Sequence, residues 1–276
     1  MPAPVPVELL VVGNELLTGE IQDANVHFLC KTVGALGGRV LRATLLRDEL
    51  DAVAAELRAA ASRARVVFTS GGLGPTADDL TLSAVARAAG VELRLHPGAL
   101  QMVRDRYDEL AAGGVLAQGG LTPEREKMAW LPSGAAPLRN PIGTAPGVLF
   151  TVGPTSFVSL PGIPRELRAI LDTSLGPFLK DVFGGGLSVA RTVMLDHDET
   201  LIAPVLTRVA RRHPEVHVKS LVSTSSVAGL RVTLTTVGSG LAVLEALVDG
   251  ALRDLEEELA SLGATLPSHT SPGNPR

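Results

Sequence analysis

The sequence predicts an α/β protein: a three-layer domain with helices on both faces of a mostly parallel sheet, followed by a smaller α+β domain. Three observations carry this reading. From Val7 to Gly90 short apolar runs alternate with helical patterns, the signature of parallel strands joined by covering helices. Gly184-Gly185-Gly186 then forms a joint that closes this pattern. After it the order becomes strand, helix, strand, strand, helix, which suits a two-layer sandwich.

The elements follow in order. Residues 7–12 form an apolar run ending at Gly13, and a helical pattern from about 25 to 36 stops at Gly37-Gly38. Residues 39–46 read as a second strand. Leu50, Val53, Ala54, Leu57 and Ala61 then recur at spacings of 3 or 4, so one helix face is apolar. Residues 65–70 make a third strand, and 81–89 a helix closed by Gly90. Residues 97–139 read as a mostly helical excursion over the sheet, interrupted at Gly113-Gly114 and Gly119-Gly120, with the character of a lid. A further helix is expected near Pro164, since proline suits a first helical turn.

The first domain is expected over residues 1–175 and the second over 187–264. Within the latter, strands are expected at 191–195, near 216–220 and at 227–237, with helices at 199–212 and from about 240 to 262. The stretch 265–276 is rich in Pro, Ser and Gly without periodicity and reads as a disordered tail.

Composition narrows the function classes. With 25 basic and 29 acidic side chains the net charge is −4, which gives no general attraction to nucleic acid or anionic membrane. Aromatics are 3% of the chain, too few to stack successive bases, so single-strand binding is disfavoured. Cys30 is the only cysteine, excluding an intrachain disulfide and a thiolate metal cluster. The start lacks the basic and apolar regions of a signal peptide, and no apolar run reaches membrane-spanning length. A soluble cytoplasmic protein with a small-molecule partner is expected.

The most informative segment is 69–84, Thr-Ser-Gly-Gly-Leu-Gly-Pro-Thr-Ala-Asp-Asp-Leu-Thr-Leu-Ser-Ala. Its glycines, with Ser70, Gly71, Gly72, Gly74 and Thr76, let backbone N–H groups approach a phosphate near a helix start. Asp78 and Asp79 would repel that phosphate unless a divalent cation bridges carboxylate and phosphate oxygens. Asp79 is the residue whose loss should cost most. No lysine follows the glycines, which argues against a Walker-type loop, and the first loop lacks Gly-x-Gly-x-x-Gly, which argues against a dinucleotide-binding Rossmann site.

In parallel sheets ligands sit at the carboxyl ends of strands, so the loop after the first strand, with Gly13, Asn14, Glu15 and Asn25, should open on the same rim. Two proline-framed turns complete the candidate site. One presents Asn140, Gly143 and Thr144, the other Pro161 and Gly162. Lys127 beside Arg125 is a candidate phosphate contact and catalytic group, weighed against a solvated helix face. Asp196-His197-Asp198-Glu199 reads as an acidic helix cap rather than a metal site.

Residues 12–21 with Asp23 and Asn25, 69–81, 140–147 and 160–166 together resemble the amino-terminal part of the CinA (competence/damage-inducible) family, whose core is molybdopterin-binding-like (MoaB/MogA-like). The later module resembles the family's KH-like domain, though without a clear Gly-x-x-Gly backbone clamp, so RNA binding is not expected.

The resemblance implies a divalent-metal-dependent pyrophosphatase that splits ADP-ribose into AMP and ribose 5-phosphate. Its cofactor would be Mg²⁺, with Mn²⁺ or Co²⁺ as alternatives, held at Asp78, Asp79 and Asp48, and its assembly a homodimer. The superfamily core also suits a pterin-binding protein of molybdenum-cofactor assembly. A non-catalytic partner-binding protein in DNA uptake or repair is the third reading. Full-length members of the family carry a further deamidase domain for which these 276 residues leave no room, so deamidase activity is not expected. Met128 stands where the family usually has glutamine.

Overall fold

The computed structural model describes residues 4–184, 186–222 and 229–261. They fall into two compact units, one built from Val5–Gly34 and Gly38–Gly184, the other taking in the described chain from Gly186 onward. The expected tail at 265–276, and the expected start of a strand at 227, lie outside the described residues.

The larger unit contains β1 (Pro6–Val12), α1 (Asn14–Leu17), α2 (Asn25–Ala35), β2 (Arg39–Leu46), α3 (Leu50–Ala61), β3 (Val66–Ser70) and α4 (Thr81–Ala89). It continues with β4 (Leu93–Leu95), α5 (Pro97–Ala112), α6 (Pro123–Lys127), β5 (Trp130–Pro132) and β6 (Ala136–Leu138). β7 (Gly147–Val152), β8 (Thr155–Leu160), α7 (Pro164–Thr173) and α8 (Gly176–Phe183) complete it. Its six-stranded sheet has the order β2-β1-β3-β8-β7-β6. β2, β1, β3 and β8 run parallel, whereas β7 and β6 are antiparallel additions.

Strand sequence explains strand position. β3 and β8 are buried at every residue and β1 at all but its first, as expected for strands covered on both faces. β2 carries arginines at both ends of its first half and lies at the edge, where Leu41 and Leu45 are exposed. Helix α3 turns Val53, Ala54, Leu57 and Ala60 toward Leu10, Val67 and Phe157, each fully or nearly buried. Burial of such a Val, Leu or Phe is worth roughly 1.5–3 kcal/mol.

Two expectations need correction. Residues 97–139 are not a detached lid: Ala99, Val103, Met128, Ala129 and Leu131 lie in the main core and anchor both ends of the segment, while residues 104–127 between them are exposed or half-buried. It also carries strands, with β5 pairing antiparallel to β4 and β6 joining the edge of the large sheet. The larger unit runs to Gly184, past the expected 175, because α8 buries Leu179 and Phe183.

The smaller unit contains β9 (Leu187–Leu195), α9 (Glu199–Arg212), β10 (His217–Val222), β11 (Leu230–Gly238) and α10 (Leu241–Ser261). Its three-stranded sheet is antiparallel in the order β10-β11-β9. Ile202, Val205 and Val209 of α9 and Leu244, Val248 and Leu255 of α10 pack with Leu195, Val232 and Leu234. Asp198 caps α9 by accepting the Thr200 N–H at 2.8 Å, the capping role expected for the acidic cluster. No helix among the described residues is long and apolar enough to cross a membrane.

Candidate active site

The chain leaves β1 toward β2 and returns to β3 on the other side, so the carboxyl ends of β1 and β3 form a topological switch point. Loops from four parallel strands gather there. They enclose a cavity of about 490 Å³, a volume typical of a small-molecule site. Of the expected residues, Gly13, Glu15, Asn25, Asp48, Ser70, Gly71, Gly72, Gly74, Thr76, Asp78, Asp79, Thr144, Pro161 and Gly162 line it.

The glycine-rich loop is shaped by close approaches. Gly71 has φ +97°, and a Cβ there would stand 2.1 Å from the Val12 carbonyl oxygen. At Gly74 a Cβ would stand 2.6 Å from Asp79 Oδ2, so glycine is what lets that carboxylate fold back over the loop. Gly71 N–H donates to Leu160 O at 3.0 Å and Thr81 Oγ1 to Gly71 O at 2.7 Å, tying the loop to β8 and α4. The N–H groups of Gly72, Leu73 and Gly74 make no hydrogen bond among the described residues. These are consecutive donors at the cavity wall, the arrangement that binds anions.

The charged lining has one sign. Glu15, Asp23, Asp48, Asp78, Asp79 and Glu166 line the cavity, and no Lys, Arg or His does. Burial raises the Asp48 carboxyl above the ordinary range, and the charges of Glu15, Asp78 and Asp79 push it further, against the lowering effect of the Asn14 N–H. Asp78 is held low, chiefly by the Thr76 hydroxyl and its own backbone N–H. Thr76 N–H donates to Asp79 Oδ2 at 2.9 Å, and the Thr76 hydroxyl lies against both Asp78 and Asp79. One hydroxyl proton serves two carboxylates, so the pair retains unused acceptor capacity.

Asn25 links the loops. Its Nδ2 donates to Ser70 Oγ at 2.8 Å and Gly162 O at 2.7 Å, while its Oδ1, in a residue only 4% exposed, has no partner among the described residues. A buried acceptor left open in a cavity wall is a place for a ligand hydroxyl or N–H.

Four expected residues do other work. Lys127 does not line the main cavity: its ammonium donates to the carbonyls of Thr76 and Asp79, the latter at 2.8 Å, and reaches Gly74 O at 3.5 Å. It therefore clamps the backbone that carries Asp78 and Asp79, and burial lowers its pKa against the raising effect of Asp79 and Asp78. Asn140 is a structural brace, donating to Ala145 O and Glu166 Oε2 and accepting from the N–H groups of Ile142 and Gly143. Gly143 lies over Glu166, where a Cβ would stand 1.9 Å from Oε2, and faces another cavity. Asn14 serves through its N–H, donated to Asp48 Oδ2 at 2.9 Å.

The expected three-carboxylate metal set is also not assembled. Among the described residues no three His, Cys, Asp or Glu side chains come together closely enough to hold a metal ion. Asp78 and Asp79 do fit a cation that shares its coordination with a phosphate, because Mg²⁺ needs only one or two carboxylates in that case.

Asp23 and Glu166 are site residues that sequence reasoning left without a role. Asp23 caps α2, accepting from Asn25 N–H at 3.2 Å and Val26 N–H at 3.0 Å. An Asp two residues before an apolar-periodic segment was the available signal. Glu166 is 7% exposed and reaches the cavity from the first turn of α7, a placement that its Pro164-Arg165-Glu166 context allowed.

The family profile described as "Probable molybdopterin binding domain" matches residues 8–181. A protein of Aeropyrum pernix is 36% identical over 266 residues, covering 95% of this chain and 97% of its own. A CinA-like protein of Anaeromyxobacter dehalogenans is 37% identical over 226 residues, which is 77% of this chain but 54% of that protein, so this chain spans about half of that relative. Among solved structures, the CinA protein of unknown function from Thermoplasma acidophilum superposes with a TM-score of 0.58 at 35% identity, covering 66% of this chain and 99% of that one. The chain is thus a member of the CinA family whose larger unit is a molybdopterin-binding-like α/β domain.

Proposed function

We propose that the switch-point cavity hydrolyses the pyrophosphate bond of a nucleoside diphosphate sugar, ADP-ribose being the first candidate, to give AMP and ribose 5-phosphate. The observation that carries this is a contradiction in the lining: three consecutive free N–H groups suited to an anion beside six carboxylates and no cationic side chain. An anion enters such a site only with a divalent cation. A Mg²⁺-class ion at Asp78 and Asp79, when bound, would neutralise phosphate oxygens and acidify water.

The chain's own groups supply the rest. The N–H groups of Gly72, Leu73 and Gly74 stabilise charge that grows on a phosphoryl oxygen as water attacks phosphorus and the bridging P–O bond breaks. Asp48, with its raised carboxyl, is the cavity's best-matched acceptor for the proton released by that water. Asn25 Oδ1 accepts from a ribose hydroxyl, and Lys127 positions the carboxylate pair.

One observation favours a second reading. The open Asn25 Oδ1 and the carboxylates would also accept from the N–H edge of a pterin, a ligand class named in the matching family's description. Incubation of ADP-ribose and related pyrophosphates with Mg²⁺, Mn²⁺ and Co²⁺, following nucleotide release, separates the two. Metal-dependent AMP release supports the hydrolase; absence of turnover with every metal, together with pterin binding in EDTA, replaces it.

A further inference from the structure

We infer that a second cavity of about 230 Å³ is an anion subsite for a phosphate monoester on the outer part of the substrate. Only the identity of the rest of that substrate rests on the pyrophosphatase reading. The preferred class is then a nucleoside diphosphate derivative that carries one phosphate more than ADP-ribose.

The argument begins with charge. The main cavity has no cationic side chain, whereas Arg106 and Arg139 both line the second one. Two carboxylates line it as well, but each is engaged: Asp105 accepts from Gln101 Nε2 at 2.6 Å and Glu109 from Arg106 Nη1 at 3.0 Å. Arg139 has an exposed side chain with no partner among the described residues. The lining is thus charge-balanced, two guanidiniums against two carboxylates, but the groups left without a partner among the described residues are donors: the Arg139 guanidinium and Arg106 Nε.

Geometry adds two points. Arg106 donates from Nη2 to Ile142 O at 2.7 Å, which fixes the guanidinium on the turn, while its buried Nε has no partner among the described residues. A buried donor without an acceptor is costly unless an anion or water meets it. Thr144 lines both cavities, and neither its hydroxyl nor its N–H makes a hydrogen bond among the described residues. The two cavities therefore share an unspent polar residue.

Guanidinium groups suit the planar, multi-oxygen face of phosphate, and a partly screened pair binds it weakly but measurably. The test is binding of inorganic phosphate by ³¹P NMR titration in EDTA, where the main cavity lacks its cation. Wild type should bind phosphate at millimolar concentration and acetate more weakly. Arg139→Gln should weaken phosphate binding about tenfold, and Arg139→Lys should restore part of it. Arg139 holds no other group in place, so its variants should keep the wild-type circular dichroism and melting curve. Undiminished binding in Arg139→Gln, no binding by wild type, or acetate binding as tight as phosphate would overturn the subsite. None of these outcomes depends on whether the main cavity hydrolyses pyrophosphates, which the turnover assay decides separately.

Discussion

The loop after β3 and the turn after β6 are built from the same vocabulary of glycine, proline, threonine and short polar side chains, yet they end in opposite states. In the turn, Asn140 uses both Nδ2 protons and Oδ1 on Ala145, Glu166, Ile142 and Gly143. In the loop, three N–H groups remain open and two carboxylates share one hydroxyl. Polar groups that satisfy one another hold a fold together, while those left over can meet a ligand. The contrast also separates two kinds of polar residue by what their atoms touch.

The largest expected effect lies on the loop. Asp79→Asn keeps the acceptor for Thr76 N–H, so the turn should persist, but metal-dependent hydrolysis should fall by about 100-fold or more. Steady-state kinetics at saturating Mg²⁺ measures this, with circular dichroism confirming the fold. The matching change in the turn, Asn140→Ala, should act on stability instead. It strands buried partners and should cost about 3 kcal/mol, lowering Tm by roughly 6–12 °C, with KM of the remaining folded enzyme little changed. If Asn140→Ala instead raised KM strongly at unchanged Tm, the distinction between the two regions would fail.

Lys127 tests the join between loop and core. Lys127→Met removes the clamp on the Thr76 and Asp79 carbonyls, so the Mg²⁺ concentration needed for half-maximal rate should rise about tenfold. A lysine acting directly on phosphate would lower kcat at saturating Mg²⁺ instead. Trp130, which lines a small cleft with Gly72, Leu73 and Lys127, offers a fluorescence signal for the same rearrangement.

The smallest effect concerns Asp48. Its carboxyl is raised in the folded state by burial and by neighbouring carboxylates, so the folded protein holds that proton more tightly than the unfolded chain. The contribution to stability is present below the ordinary carboxylate range and is lost as pH rises through the raised value. At neutral pH without metal, Asp48→Asn should therefore melt slightly higher than wild type, and the gain should vanish in acid. Added Mg²⁺ should stabilise wild type more than the variant. Scanning calorimetry at pH 4 and pH 8 checks both signs.

Much of the fold was legible because burial on both faces of a sheet leaves continuous apolar runs, as in β1 and β3, and because Gly90 marks the end of α4 by its left-handed φ of +69°. β4, β5 and β6 are three residues each, too short for any period to register, so their segment read as helix and loop. At the site, the glycines and Asp78-Asp79 were readable because backbone access and charge are properties of residue type. The roles of Lys127 and Asn140 were not, since they depend on which partners the folded chain brings within reach. Met128 shows the same limit: the sequence marks it only by residue type, and the fold makes it a core residue, 2% exposed.

The central claim is that carboxylates at Asp78 and Asp79 admit an anion only together with a divalent cation. AMP release from ADP-ribose, followed across a Mg²⁺ titration from EDTA upward in wild type and Asp79→Asn, tests it most directly. The account predicts no release in EDTA, a saturable rise with Mg²⁺ in wild type, and in the variant a curve displaced to much higher Mg²⁺ with a much lower plateau. Equal release in EDTA, or identical curves for the two proteins, would contradict it.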